Sequence, residues 1–441
     1  MTARTHPIHD PTLEPRTPMS SSLKTPPPED TTPGFPGRPQ TVAFLPALVL
    51  AYLGSALAVM SAGFVSIPLR LSELDPVHKA QTLSVTAAIG GVVIMLVSAP
   101  LGRISDVSTS RLGTRRPFIL GGAVLSAIGM SALAFATNVP GLVAGWAVAQ
   151  AGFGATTMAL NALLAEQIPS RIRARVAAAY GMSSGLAPAL GSWMISSLPG
   201  DPVYWFGIPA VLVLVANLGL FVVLRDIVRT EPVPVSWISL ARSYWINPIR
   251  HRDFAWAWLC RLLVTLALTS VSVYLLYLLT DRLGLDTAAA TRAQGMVVTA
   301  LFGAGVGTSV LFSWLSDRTG RRKPIVFGSV LLTAVGLLVA LLAHDLTVFT
   351  IGVALIGMGQ GAFVSVDVAM MTELLPDSAA AGTGLAVIAL SYQMPQLLLP
   401  VMATPLLALG SGGPNYTALL AGAVVAAILG GLAVLPIRGA R

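Results

Sequence analysis

Charge is what this sequence lacks most. Only 10% of its 441 residues are Asp, Glu, Lys or Arg, 54% are hydrophobic, and the mean hydropathy is +0.77. A soluble domain needs a more polar surface, so lipid is the expected solvent for most of the chain. Cysteine is nearly absent: the single Cys260 excludes an internal disulfide and speaks against a catalytic cysteine pair. No glycine-rich loop ends in Lys-Ser/Thr to hold ATP, and there is no HExxH and no cysteine cluster. The chain therefore reads as a non-enzyme with no cofactor and no metal, and an ATP-driven pump would need domains it does not contain. No segment alternates polar and apolar residues over ten positions, which argues against a β-barrel.

What is present is a series of long apolar runs. Residues 1–41 hold ten prolines and no apolar run, too little to bury a core, so they are read as a disordered cytoplasmic tail. No apolar segment with a small-residue cleavage site follows a basic start, so the tail is not read as a signal peptide. Twelve apolar segments follow, each long enough to cross ~30 Å of hydrocarbon at ~1.5 Å per residue. They are placed near 42–67, 80–101, 118–137, 140–165, 176–198, 203–224, 254–279, 292–315, 324–343, 346–371, 382–409 and 415–436. The expected organisation is a first six-helix bundle over 42–224, a cytoplasmic linker over 225–253 and a second bundle over 254–441. In the linker Trp237, Leu240, Ala241, Tyr244 and Trp245 recur at helical spacing, as in a helix lying at the membrane interface.

Basic residues set the orientation. With the amino terminus in the cytoplasm, 22 of the 27 Lys and Arg fall on the inner side and four on the outer; Arg261 lies inside a span. The net charge of +8 is thus explained by topology, with no nucleic-acid partner. The expected setting is a bacterial plasma membrane with both termini cytoplasmic. The expected partners are the lipid bilayer, a small-molecule substrate and protons, and the expected oligomeric state is a monomer.

The two halves repeat. A shift of 207 carries Arg115-Arg116-Pro117 onto Arg322-Lys323-Pro324, Gly113 onto Gly320, Glu166 onto Glu373 and Pro188 onto Pro395. Gly152 and Gly154 fall on Gly359 and Gly361. Upstream the shift is 211, Ser105-Asp106 falling on Ser316-Asp317, with a four-residue insertion between. The expected fold is an all-α membrane protein of twelve transmembrane helices in two parallel six-helix repeats. The loop G-x-x-S-D…G-x-R-R/K in both halves resembles the signature of the major facilitator superfamily. Its expanded form at Ser105–Ile119, with Ala162–Glu166 and the Val366–Asp367…Glu373–Pro376 stretch, resembles the sucrose/proton symporters, solute carrier family 45 and the glycoside-pentoside-hexuronide symporters. Val107 departs from that pattern, where these families usually carry Arg. The resemblance implies alternating access, with helices 1, 4, 7 and 10 lining a cavity.

Three sets of residues are candidates for function. At the two hinges, Arg103, Asp106, Arg115, Arg116 and Glu166, and in the second half Asp317, Arg321, Arg322 and Glu373, can form a cytoplasmic gate of breakable ion pairs. Inside the spans, Arg261 lies seven residues past Phe254, ~10 Å along the helix, and Asp367 lies nine before Pro376, at similar depth. Burial favours a neutral carboxyl and the arginine a charged one, a balance that a proton can tip. Asp367 is assigned to proton coupling with Arg261 as counter-ion; His6, His9, His78, His251 and His344 all lie outside or at the ends of spans. For substrate, the candidates are Gln150, Asn161, Tyr52, Tyr274, Tyr277, Tyr392 and Gln393, which offer matched donors, acceptors and aromatic faces. The same types also hold helices together. Gly303/Gly307 and Gly357/Gly361 have helix-packing spacing, and Gly181, Gly185, Pro188 and Gly191 mark a flexible fifth helix. The reading is a secondary active transporter, proton-coupled symport of a sugar or glycoside. Left open are a proton-coupled exporter of drugs or metabolites and a non-transporting membrane sensor.

Overall fold

The computed structural model describes residues 41–228, 251–374, 381–410 and 413–437, and the amino-terminal tail and the linker aromatics lie outside them. Among the described residues there are twelve long helices and no strand. They are α1 (Phe44–Leu74), α2 (Lys79–Asp106), α3 (Arg116–Ala134), α4 (Val139–Glu166), α5 (Ser170–Ser196) and α6 (Pro202–Val223). The second half supplies α7 (Arg252–Arg282), α8 (Thr287–Thr319), α9 (Arg322–Leu342), α10 (Leu346–Glu373), α11 (Ala381–Leu407) and α12 (Tyr416–Val434). Both signature hinges follow an even number of crossings, so they share one face of the bundle, called here the hinge face; the opposite side is the far face.

Several helices outrun the apolar segments that announced them. The run at 292–315 becomes a helix from Thr287 to Thr319, and the run at 80–101 becomes Lys79–Asp106. Hydropathy marks only the stretch that must sit in hydrocarbon, whereas backbone hydrogen bonding continues until a cap stops it. Asp286 is such a cap, accepting from Ala289 N at 2.8 Å, and Asn138, Asp201 and Asn415 open α4, α6 and α12 in the same way. Among the described residues, ten helices are long and apolar enough to cross a membrane. Of the others, α5 carries Ser184 and Pro188 into the central cavities, so its composition reflects a wall that is not lipid.

The duplication is visible in packing. Gly129 of α3 faces the backbone of Ala149 in α4, and 207 residues on Gly336 of α9 faces that of Ile356 in α10. Gly152 meets Ser126, and Gly359 meets Thr333, again 207 apart. A Cβ at any of these glycines would enter the neighbouring helix, so small residues set how closely α3 packs on α4 and α9 on α10. Near the far face, Arg70 of α1 donates to Ala136 O just past α3 at 2.7 Å, and Arg282 of α7 donates to Ala340 O near the end of α9 at 2.8 Å. The α8–α10 contact corrects one expectation. Gly303 and Gly307 face open space, while Gly305 between them packs backbone-to-backbone on Gly361, and Gly357 on Leu301. The GxxxG spacing on α8 marks the wrong side of that helix.

Candidate functional site

Two cavities meet between the halves. The first, about 360 Å³, is lined by Tyr52, Gln150, Asn161, Tyr392 and Gln393, five of the seven residues chosen for substrate. The second, about 390 Å³, is more apolar, with Phe64, Leu301, Phe302 and Val364 on its wall and Gln360 as a polar point. Met60, Ser184 and Gln396 line both, so the two compartments are adjacent. Among the described residues neither wall contains an Asp, Glu, Lys, Arg or His. Its polar groups are amides and hydroxyls, which recognise uncharged donors and acceptors. Gln150 is buried and its Oε1 has no hydrogen-bond partner, as does Oε1 of Gln360. Tyr52 stacks on Tyr180 with ring centroids 3.8 Å apart, and Ser184 donates to the Tyr52 hydroxyl at 3.2 Å.

The charged pair lies behind this wall. Arg261 Nη1 is 2.6 Å from Asp367 Oδ2, with side chains 1% and 0% exposed. The two are in contact as charges but poorly aligned as a hydrogen bond, and Asp367 Oδ1 and Arg261 Nε have no partner either. Breaking such a pair by removing one partner would leave a buried charge uncompensated. Tyr392, which lines the cavity, has its ring centre 3.7 Å from the Arg261 guanidinium carbon.

Tyr274 and Tyr277 are placed elsewhere. Both are fully buried towards the far face and join the halves there. Tyr277 donates to Pro68 O at 2.9 Å; Tyr274 bonds the Ser84 hydroxyl and Ala80 O. Lys79 donates to Asp281 at 2.7 Å, and Tyr416 donates to the other Asp281 oxygen at 2.8 Å. Gln294 donates to Phe64 O at 2.8 Å. These bonds bar the far face, whereas Asn161 and Gln393, lower on the cavity wall towards the hinge face, are exposed.

At the hinge face the first-half candidates form a knot within that half. Arg115 is buried and forks Nη2 to Asp106 Oδ1 at 2.5 Å and Nε to Glu166 Oε2 at 3.1 Å, with Nη1 on Ser105 Oγ at 2.8 Å. Arg103 lies 4.0 Å from Asp106. Burial alone would push the Arg115 guanidinium down, but hydrogen bonding and charge from Glu166, then Asp106, outweigh it and move it up. Arg116 turns away, donating to Phe221 O at 2.6 Å and lying over the Phe221 ring. In the second half Lys323 donates to Leu435 O and Ile437 O, Arg321 is exposed, and the side chains of Asp317 and Glu373 lie outside the described residues.

The sequence matches the profile of the Major Facilitator Superfamily twice, over residues 42–293 and 289–440. The chain belongs to the major facilitator superfamily. As a member it is a multi-pass membrane protein. Its backbone is similar to a bacterial homolog of the human lysosomal transporter Spinster in an inward-facing, unoccupied conformation, with TM-score 0.67, 14% identity, and 89% of this chain and 94% of that one covered. It is also similar to the nucleoside transporter NupG, with TM-score 0.71, 12% identity, and coverage of 90% and 99%. Uncharacterised MFS-type transporters of two Mycobacterium tuberculosis strains are 26% identical over 159 residues, 34% of this chain. The chain matches about a fifth of the length of those curated relatives, 22%.

One residue of this facilitator's hinge escaped sequence reading. Asp226, just past α6, accepts from Arg115 N at 2.6 Å and Arg116 N at 2.8 Å, capping α3 from the start of the linker. Its carboxyl sits where a Cβ on Gly113 would project, and Gly113 has φ +107. The glycine was legible; its partner, 113 residues on, was not.

Proposed function

We propose that this facilitator is a proton-coupled symporter of an uncharged sugar or glycoside. The observation that carries the reading is the buried Arg261–Asp367 pair set against a cavity that offers amides, hydroxyls and tyrosines and, among the described residues, no charge. A neutral polyol can pair its hydroxyls with Gln150, Asn161, Gln393 and Gln396 and lay a ring on Tyr52; a cation would find no counter-charge on that wall. Asp367 takes the proton, Arg261 holds the deprotonated form in place, and neutralising the pair lowers the cost of moving one half against the other. The arginine bias puts the hinge face in the cytoplasm, so the conformer seen here releases inward, and both termini are cytoplasmic. The setting is a bacterial plasma membrane and the working unit a monomer.

The test is reconstitution into proteoliposomes with sucrose as first probe. Asp367→Asn should abolish uphill accumulation under an inward proton gradient while leaving sucrose counterflow. Unchanged uphill uptake removes Asp367 from the coupling role. The apolar second compartment favours one other reading, a proton-coupled exporter of hydrophobic metabolites or drugs. Accumulation driven by the reverse gradient, with a hydrophobic cation as probe, would establish it.

A further inference from the structure

We propose that Tyr392 is the lid of the coupling site: its ring, held on the Arg261 guanidinium, shuts the Arg261–Asp367 pair off from the cavity, and a solute that displaces the ring exposes Asp367. This rests on the reading of Asp367 as the proton site, but the lid itself is a separate claim. The pair is nearly at zero exposure although a cavity of about 360 Å³ lies one side chain away. That side chain is Tyr392, 38% exposed, which lines the cavity and has its ring centre 3.7 Å from the guanidinium carbon. Among the described residues, Arg261 of α7 is the charged group that touches both Asp367 and Tyr392.

The backbone around the lid is suited to this task. Trp258 of α7 donates to Val387 O of α11 at 2.8 Å, fixing the two helices to each other on the hinge side of Tyr392. Three residues past Tyr392, Pro395 leaves the carbonyl of Ser391 without its intrahelical donor, so the turn bearing Tyr392 is locally loosened. Opening is therefore a side-chain movement and not a parting of helices. A cation–π contact is weak enough for a bound solute to replace. The order that follows is solute first, proton exchange second, which keeps an empty carrier from leaking protons.

N,N′-dicyclohexylcarbodiimide tests the lid without knowledge of the substrate, since it attacks a carboxyl only when that group is both protonated and reachable. The carboxyl proton passes to a carbodiimide nitrogen as the carboxylate oxygen bonds its central carbon. With full-length protein in nanodiscs at pH 5, adduct on Asp367 is followed by peptide mass spectrometry. Tyr392→Ala and Tyr392→Leu should label at least tenfold faster than wild type, and Tyr392→Phe, which keeps the ring, within twofold. In liposomes the same two fast variants should pass protons without solute. Equal labelling in all variants, or labelling of none, overturns the lid; should Tyr392→Ala fail to fold, Tyr392→Leu decides. Fast labelling together with retained uphill sucrose uptake in Asp367→Asn would leave the lid standing and remove the coupling reading.

Discussion

Arg115 shows what one residue of the signature loop does. Its guanidinium is 3% exposed and divided between Asp106, at the end of α2, and Glu166, at the end of α4. It ties three helix ends of the first half together. Lysine carries the same charge but a single point of contact, so it cannot bridge both carboxylates. Arg115→Lys should cost ~1–3 kcal/mol, because one carboxylate loses its charge-assisted bonds. Thermal unfolding in detergent checks this, and a midpoint equal to wild type would contradict it. The ends of this knot were legible: an Asp, an Arg cluster and a Glu recur in register in both halves. The substrate candidates were legible only in part. Polar side chains inside spans stand out, yet composition cannot separate Tyr392, at the cavity, from Tyr274 and Tyr277, at the far-face seal, because a tyrosine hydroxyl serves a solute or a backbone carbonyl equally well.

At the scale of the element, packing is set by which face of a helix carries its glycines. Gly357 lies against the backbone of Leu301, while Gly303 meets nothing within 4 Å. Gly357→Ala should therefore force α10 away from α8 at ~1–3 kcal/mol, and Gly303→Ala should be neutral or stabilising by up to ~1 kcal/mol through helix propensity. Melting curves of the two variants side by side test the contrast; equal losses would contradict it. Sequence spacing alone misplaced this contact because it cannot tell which face of a uniformly apolar helix meets a partner and which meets lipid. The turn between α1 and α2 adds a pH effect. Hydrogen bonds from the His78 backbone, then its ring, and from Thr82 hold the Asp75 carboxyl below its ordinary range. A carboxyl lower in the folded state than in the unfolded chain contributes stability above about pH 4, lost as pH falls through its folded value. Asp75→Asn should flatten stability against pH in that acid range and leave the neutral range parallel to wild type.

For the whole molecule, twelve spans, two repeats and the placing of both hinges on one face follow from apolar runs, crossing parity and a 207-residue offset. Which side is closed does not, because closure depends on contacts between halves 190 or more residues apart, as Ser84 with Tyr274 and Lys79 with Asp281. The Lys79–Asp281 pair is partly exposed, at 17% and 25%, so by itself it is worth ~1 kcal/mol or less. That suits a bar that must lift, since a ~1.4 kcal/mol bias between two conformers changes their ratio about tenfold. Lys79→Ala should consequently shift the population towards a far-face-open form without unfolding the protein. Spin labels at Val77, in the α1–α2 turn, and Leu409, past the end of α11, report the gap across that face on a Cys260→Ser background. The distance distribution should gain a longer component in Lys79→Ala and in Asp281→Ala, with the double variant no longer than either single one. Exchanging the charges, Lys79→Asp with Asp281→Lys, should restore the short component. Distributions that coincide with wild type in both single variants would show that the tyrosines hold the far face unaided.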